Sequence, residues 1–465
     1  MRSTHPALTA ILRAGCATLA LACRMAPAQE APEKDDTHRL PQISPDARYD
    51  IDQEATAIFQ DKPRFRSPYE GANSLPGRHA AAMTLTYTAF LGARLNKNVE
   101  VFLNPEIALG NGIGGGLGLG AFTNGDLIGQ SSLRAEPYLS RYFVRWRVAL
   151  PSLGEARIRE VQVGRAPNLI GGTIPAHRLV LSAGKMAVSD FFDVNGYANN
   201  PRMQFMNNAF VNNLAFDKAG ETRGYDLGAV AALVYPTWVL RAGLFAVPVV
   251  PGGPDLALDM KRAYSEEVEG ELHFHLLKRK TGPAIVRVLL YSNTADAGGY
   301  AGALATAAGQ QPDVTTVRRE RTKRGFGLNF EQPLTEDNVT GVFARAGWNN
   351  GSSESSSYEC DAAASLGAQI GGALWGRKED RAGVALAQSE LSRIHRDYLA
   401  GGGTGLAVGD GALAYRPERV FEGYYSYSLN KYVTATLDLQ HITSPGYNRD
   451  RGPITIVSAR LHYGF

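Results

Sequence analysis

The 465-residue chain carries 48 basic and 45 acidic residues, a net charge of +3, with 51 glycines, 20 tyrosines and 18 phenylalanines. Mean hydropathy is −0.19, and no run after residue 28 reaches the roughly 18 apolar residues of a membrane-spanning helix, so helical spans are excluded. Charges of both signs are interspersed, which excludes the basic stripe of a nucleic-acid binder and, with the glycine and aromatic content, suits a barrel with an aqueous interior.

Residues 1–28 have the pattern of an export signal. Arg2 and Arg13 supply positive charge, Ala14–Ala22 is a short apolar run, and Ala26-Pro27-Ala28 places small residues before a cut at Gln29. Cys23 is an alternative lipoprotein cysteine, although Ala20 stands where a bulky aliphatic residue is usual. Of Cys16, Cys23 and Cys360 only the last survives cleavage, so no intramolecular disulfide is expected. Residues 29–48 are polar and proline-containing and are expected to form a periplasmic tail.

From residue 49 onward, segments of alternating polarity recur between turn signals. Strands are predicted over 49–59, 80–93, 97–103, 141–150, 157–165, 178–188, 203–213, 225–235, 237–247, 266–277, 284–293, 324–332, 340–349, 359–371, 381–390, 418–429, 432–442 and 454–465. Short and long connections largely alternate, as in a transmembrane barrel with tight periplasmic turns and long outer loops. The connection at 189–202 breaks the alternation by being long where a short turn is expected. The last strand pairs an apolar row (Val457, Ala459, Leu461, Tyr463, Phe465) with a polar one, and a terminal aromatic strand of this kind is typical of outer-membrane barrels. The expected fold is therefore all-β: an antiparallel transmembrane barrel of 16 to 18 strands over residues 49–465, wide enough to leave a channel.

Alternation also assigns faces. In 141–148, Tyr142, Val144, Trp146 and Val148 form the lipid row, so Arg141, Phe143, Arg145 and Arg147 point inward. The same test places Arg345, Asn349, Thr434, Thr436, Asp438, Gln440, Glu422 and Arg460 inside, together with Glu267, Glu269, Glu271, His273 and His275. Arginine or lysine at the midplane of the lipid face would cost about 2–4 kcal/mol, so the inward assignment is physically forced. Arg145, Arg147, Arg345, Glu422, Asp438, Glu269 and Glu271 are the candidate pore-lining residues. Guanidinium groups and carboxylates together can hydrogen-bond neutral hydroxyls, whereas an ion filter more naturally carries rings of one sign.

Other motifs point to less. Gly112–Gly120 is glycine-rich but lacks the βαβ surroundings of a nucleotide site. His273 and His275 beside three glutamates raise a divalent-metal alternative, though one strand supplies few well-angled ligands. Asp190 and Asp193 are a possible acid–base pair for a glycosidase-like barrel enzyme, against a structural role. There is no G-x-S-x-G or H-E-x-x-H motif.

Several blocks, in one order, resemble the carbohydrate-selective porins of the OprB type: Phe65–Leu75 (FRSPYEGANSL), Asn104–Ile107 (NPEI), Ala121–Asp126 (AFTNGD) and Gly184–Asn207, which contains DFFDVNGYANNPRMQFMN. Phe343–Gly351 (FARAGWNNG), Trp375–Arg377, Gly409–Gly411, Glu422–Tyr425 and Ser444–Pro453 (SPGYNRDRGP) extend the resemblance to the C-terminal region. It implies a monomeric 16-stranded outer-membrane barrel of a Gram-negative bacterium. Such a pore passes monosaccharides and polyols down their gradient, without catalysis or cofactor, and has barrel assembly machinery and outer-membrane lipids as partners. Arg145, Arg147, Arg345 and Glu422 match, by type and block, the Arg and Glu residues that line such pores. In many relatives the first strand reads His-Gly-Gln-x-Thr, where this chain has Asp52-Gln53-Glu54-Ala55-Thr56. Manganese-selective pores are similar as well, so a divalent-metal pore using Glu267, Glu269, Glu271 and His273 is the alternative function.

Overall fold

The computed structural model describes residues 47–127, 136–151, 158–277 and 280–464. The segment expected to be an export signal, nearly all of the expected tail and Phe465 lie outside the described residues.

Sixteen of the described strands close one antiparallel barrel. They are β1 (Tyr49–Lys62), β2 (Ala80–Asn96), β3 (Val99–Gly110), β4 (Tyr138–Ala149), β7 (Arg178–Met186), β8 (Asp226–Tyr235), β9 (Trp238–Ala246) and β10 (Tyr264–Phe274). The circuit continues through β11 (Ala284–Gly298), β12 (Arg318–Pro333), β13 (Gly341–Asn349), β14 (Ala362–Gly371), β15 (Arg381–Glu390), β16 (Glu418–Ser428), β17 (Val433–Thr443) and β18 (Ile454–Gly464). β1 closes on β18, with Glu54 opposite Gly464 and Asp61 opposite Val457, so no sheet edge is left open. The remaining pair, β5 (Glu160–Val163) and β6 (Gly172–Pro175), is a separate hairpin.

Two expected strands are thus not barrel staves. Of residues 157–165, the described ones (158–165) contribute only the short β5, inside the connection from β4 to β7. Residues 203–213 form no strand. They contain a single helical turn, α1 (Asn208–Val211), capped by the Asn207 side chain on the Ala209 N–H. Apolar residues there alternate too little to distinguish a stave from a segment buried on all sides. Removing 157–165 from the barrel also resolves the broken alternation. The 150–177 connection moves to the periplasmic end with the tight turns, and 187–225 becomes an outer-side loop, where length is normal.

The faces follow the period of two. Leu437 is 68% exposed and Val144 45%, whereas Glu269 is fully buried and Arg145 only 5% exposed. Apolar side chains outside and charges inside is the reverse of a water-soluble protein, and it is stable only with hydrocarbon around the barrel. His275 departs from expectation: β10 stops at Phe274 and His275 is exposed beyond it. No described helix is long and apolar enough to cross a membrane.

Inside the barrel, the 187–225 loop packs Phe205, Phe210 and Leu214 against wall residues Phe343, Val420 and Tyr424. At the outer mouth, α2 (Tyr300–Thr306) and α3 (Arg393–Ala400) pack through Tyr300, Tyr398 and Leu399 onto Tyr447.

Val144→Arg should lower barrel stability by about 2–4 kcal/mol, because the new charge faces lipid near the middle of β4. Urea titration of the barrel in liposomes measures this, and unchanged stability would mean that the face is misassigned.

Candidate functional site

A chain segment inside a lumen must find partners for its N–H and C=O groups, since it has no sheet ladder. The wall supplies them with charged side chains. Glu422 accepts the Met206 and Asn207 N–H groups at 2.5 and 3.0 Å. Arg460 donates to the Pro201 and Gln204 carbonyls at 2.7 and 2.8 Å. Arg345 donates from Nη1 to the Phe210 carbonyl at 2.7 Å and from Nε to Asp193 Oδ1 at 3.1 Å. Glu269 accepts the Asp193 N–H at 2.8 Å. Asn207 reaches Gln440, whose amide also donates to Asp438 at 3.2 Å. The loop's own Arg202 pairs with Glu54 on β1, Glu106 on β3 and Asp126. The segment therefore runs from the β7–β8 side to contacts on β1, β3, β13, β16 and β18, which seals one part of the lumen and leaves the rest open.

The open part is a cavity of about 580 Å³. Its wall carries Arg145 and Arg147 on β4, Arg178 on β7, Arg241 on β9, Glu271 on β10 and Arg287 on β11. Buried carboxylates hold four of these five guanidinium groups, and Arg178 donates to the Pro175 carbonyl at 3.0 Å. Arg147 lies 2.6 Å and Arg145 3.9 Å from Glu100. Glu271 takes Arg241 at 2.9 Å, Arg287 at 2.7 Å and His273 at 2.5 Å. Arg145 also lies over the Phe102 and Phe143 rings, 5.0 and 5.5 Å from their centroids, which fixes its plane. Tyr138 and Tyr225 both donate to Glu106, which also accepts from Thr88 at 2.6 Å.

Of the residues singled out from the sequence, Arg145, Arg147 and Glu271 thus share the cavity wall. Glu269, Arg345, Glu422 and Asp438 face inward but serve the infolded loop, directly or through Gln440. Arg178, Arg241 and Arg287 were not singled out, yet the alternation that places Leu240 and Val288 outside places Arg241 and Arg287 inside. Arg202 carries no such signal, because its position depends on a loop path that no periodicity describes.

The acidic row of β10 does not present an open ring. Glu269 and Glu271 are both engaged by Arg241, and Ser265 donates to Glu267. Among the described residues no group of three or more His, Cys, Asp or Glu is arranged to hold a metal ion. Asp190 is held by Arg141 at 2.6 Å and Asp193 by Arg345 and Asn329, so each has a structural partner.

The model of the carbohydrate-selective porin, OprB family, matches residues 92–465. Among solved structures the chain is similar to OprB of Pseudomonas putida in a high-pH structure, at 14% identity over 90% of this chain and 94% of that one, with a TM-score of 0.66. It is more distantly similar to the outer-membrane channel DcaP of Acinetobacter baumannii, at 9% identity over 90% and 97% of the two chains and a TM-score of 0.46. The Salmonella typhi OmpF complex with daunomycin gives 9% identity over 91% and 99%, also at 0.46. No curated protein matches the chain.

Glu422→Ala removes the acceptor of two buried amides, a loss of about 1–3 kcal/mol each. The loop should loosen, raising single-channel conductance and its noise and letting disaccharides enter liposomes faster, with Glu422→Gln intermediate. Wild-type conductance in a correctly assembled Glu422→Ala barrel would show that this contact does not hold the loop.

Proposed function

Because this chain belongs to the OprB family of carbohydrate-selective porins, we propose that its solutes are monosaccharide-sized sugars and polyols, and that Arg145, Arg147 and Glu271 contact them directly. The barrel is an outer-membrane channel, not an enzyme, and transport is diffusion down a gradient. The observation that carries the reading is the row of arginines on β4, β7, β9 and β11, with carboxylates set among them, along one side of the cavity.

This wall suits a neutral, hydroxyl-rich solute. A guanidinium fork donates to two hydroxyls at once, and a neighbouring carboxylate accepts from a third. Because Glu100, Glu269, Glu271 and Glu331 together offset the charge of Arg145, Arg147, Arg241 and Arg287, the wall does not concentrate one ion strongly. The sugar exchanges hydrogen bonds with water for hydrogen bonds with the wall, step by step, and no single site binds it tightly enough to stop release. Arg345, Glu422, Asp438 and Glu269 act at one remove, by holding the loop that narrows the lumen. We also take one chain to form the complete pore, since the cavity is enclosed by its own strands and loop, and a monomer is the expected state.

Replacing Arg145 and Arg147 together by lysine keeps the charge and removes the planar forks. The double variant should show weaker current block by glucose at a small-ion conductance equal to or above that of the wild type, since Arg145 also holds the Asn168 carbonyl. Each hydrogen bond to a charged group is worth about 1.5–3 kcal/mol net of exchange with water. Current noise in planar bilayers reads this directly. A wild-type channel that ignores glucose and is blocked by manganese would replace the sugar reading with a divalent-metal pore.

A further inference from the structure

The connection between β4 and β7 lies at the periplasmic end, where the other described turns are short, yet it is built into the channel. Its β5–β6 hairpin ends in a tight turn at Pro167-Asn168. Ala166 and Leu169 exchange backbone hydrogen bonds across this turn, and Asn168 takes a φ of 62°, a left-handed value that asparagine tolerates. Three arginines fix the hairpin from different sides. Arg165 pairs with Asp50 and Asp52 at the start of β1 and donates to the Ile51 carbonyl at 2.7 Å. Arg94 of β2 donates to the Ile170 and Gly171 carbonyls at 2.9 and 3.2 Å. Arg145 of the cavity wall donates to the Asn168 carbonyl at 2.8 Å. Ile170 is buried against the inward-facing Phe102 and Phe143.

The hairpin therefore does not hang into the periplasm. Val161, Ala166, Pro167, Asn168, Ile174 and Ala176 line the same cavity as the arginines. We propose that this hairpin is an inner filter, which sets the width and chemistry of the periplasmic exit independently of the infolded 187–225 loop. Its cavity-facing side is mainly apolar, with Asn168 as the polar exception beside Arg145. A hydrated ion gains nothing from an apolar wall that cannot replace its water. A sugar ring can lay its C–H face against Val161, Ile174 and Ala176 while its hydroxyls meet Arg145 and Asn168. The exit thereby favours sugars over ions of similar size, and Arg165 is the positioning residue that keeps it narrow.

The choice of solute rests on the sugar-porin reading, but the filter can be tested without sugar. In planar bilayers with salt alone, Arg165→Ala should raise single-channel conductance severalfold, because the hairpin loses its hold on β1. In Asn168→Cys, a charged methanethiosulfonate added from the periplasmic side should lower the current in steps. The wild type, whose Cys360 is fully buried, is the control. Labelling is confirmed by mass, and assembly by the heat-dependent gel shift of the barrel. Unchanged current through labelled Asn168→Cys channels overturns the proposal even if Arg165→Ala fails to assemble, as does wild-type conductance in an assembled Arg165→Ala. If both changes appear and glucose still causes no block, the inner filter stands and the sugar reading falls.

Discussion

The structure depends on one constraint: a polypeptide segment inside a barrel has no sheet to satisfy its backbone. Residues 187–225 cross the lumen of a 16-stranded barrel, and charged wall side chains take the place of the missing ladder. Hydrogen bonds from a charged group to a backbone group are roughly twice as strong as neutral ones. Removing one partner of a buried ion pair, such as Arg345–Asp193, costs about 3–5 kcal/mol, because a charge is left behind without its partner. These contacts hold the loop in place, and a barrel wide enough for a general pore becomes a narrow channel along one side.

This constraint divides the inward charges into two sets that look alike in sequence. Glu422 and Arg345 bind loop backbone, whereas Arg147 and Arg287 stand on the cavity wall with carboxylates behind them. Both sets satisfy the same rule, that charge avoids lipid, so alternation assigns them the same face and cannot tell them apart. What separates them is whether the loop passes over them. Loosening the first set alters pore width, and altering the second changes what the wall offers a solute.

The staves were legible because each buries one face in lipid and one in water, which writes a period of two into Arg141–Val148 or Val433–Gln440. Arg241 and Arg287 were available to the same test. The two false staves mark where that signal ends. Residues 203–213 are covered on all sides, as Phe205 and Phe210 show, so apolar residues need not alternate. Within 157–165, Glu160–Val163 do pair as a strand, but in a hairpin folded inside the periplasmic mouth. The contacts of Arg202 with Glu54, Glu106 and Asp126 span up to 148 positions of sequence and follow from the loop path alone.

Hydrogen exchange of the loop amides in the assembled barrel tests most directly whether wall charges hold the channel's shape. The N–H groups of Asp193, Met206, Asn207 and Asn213 donate to wall or loop carboxylates. They should exchange as slowly as amides in the barrel strands, well behind those of an exposed turn such as Asn430-Lys431. Exchange as fast as that turn would show a loop free in the lumen, and would contradict the view that the wall's buried charges set the width of the pore.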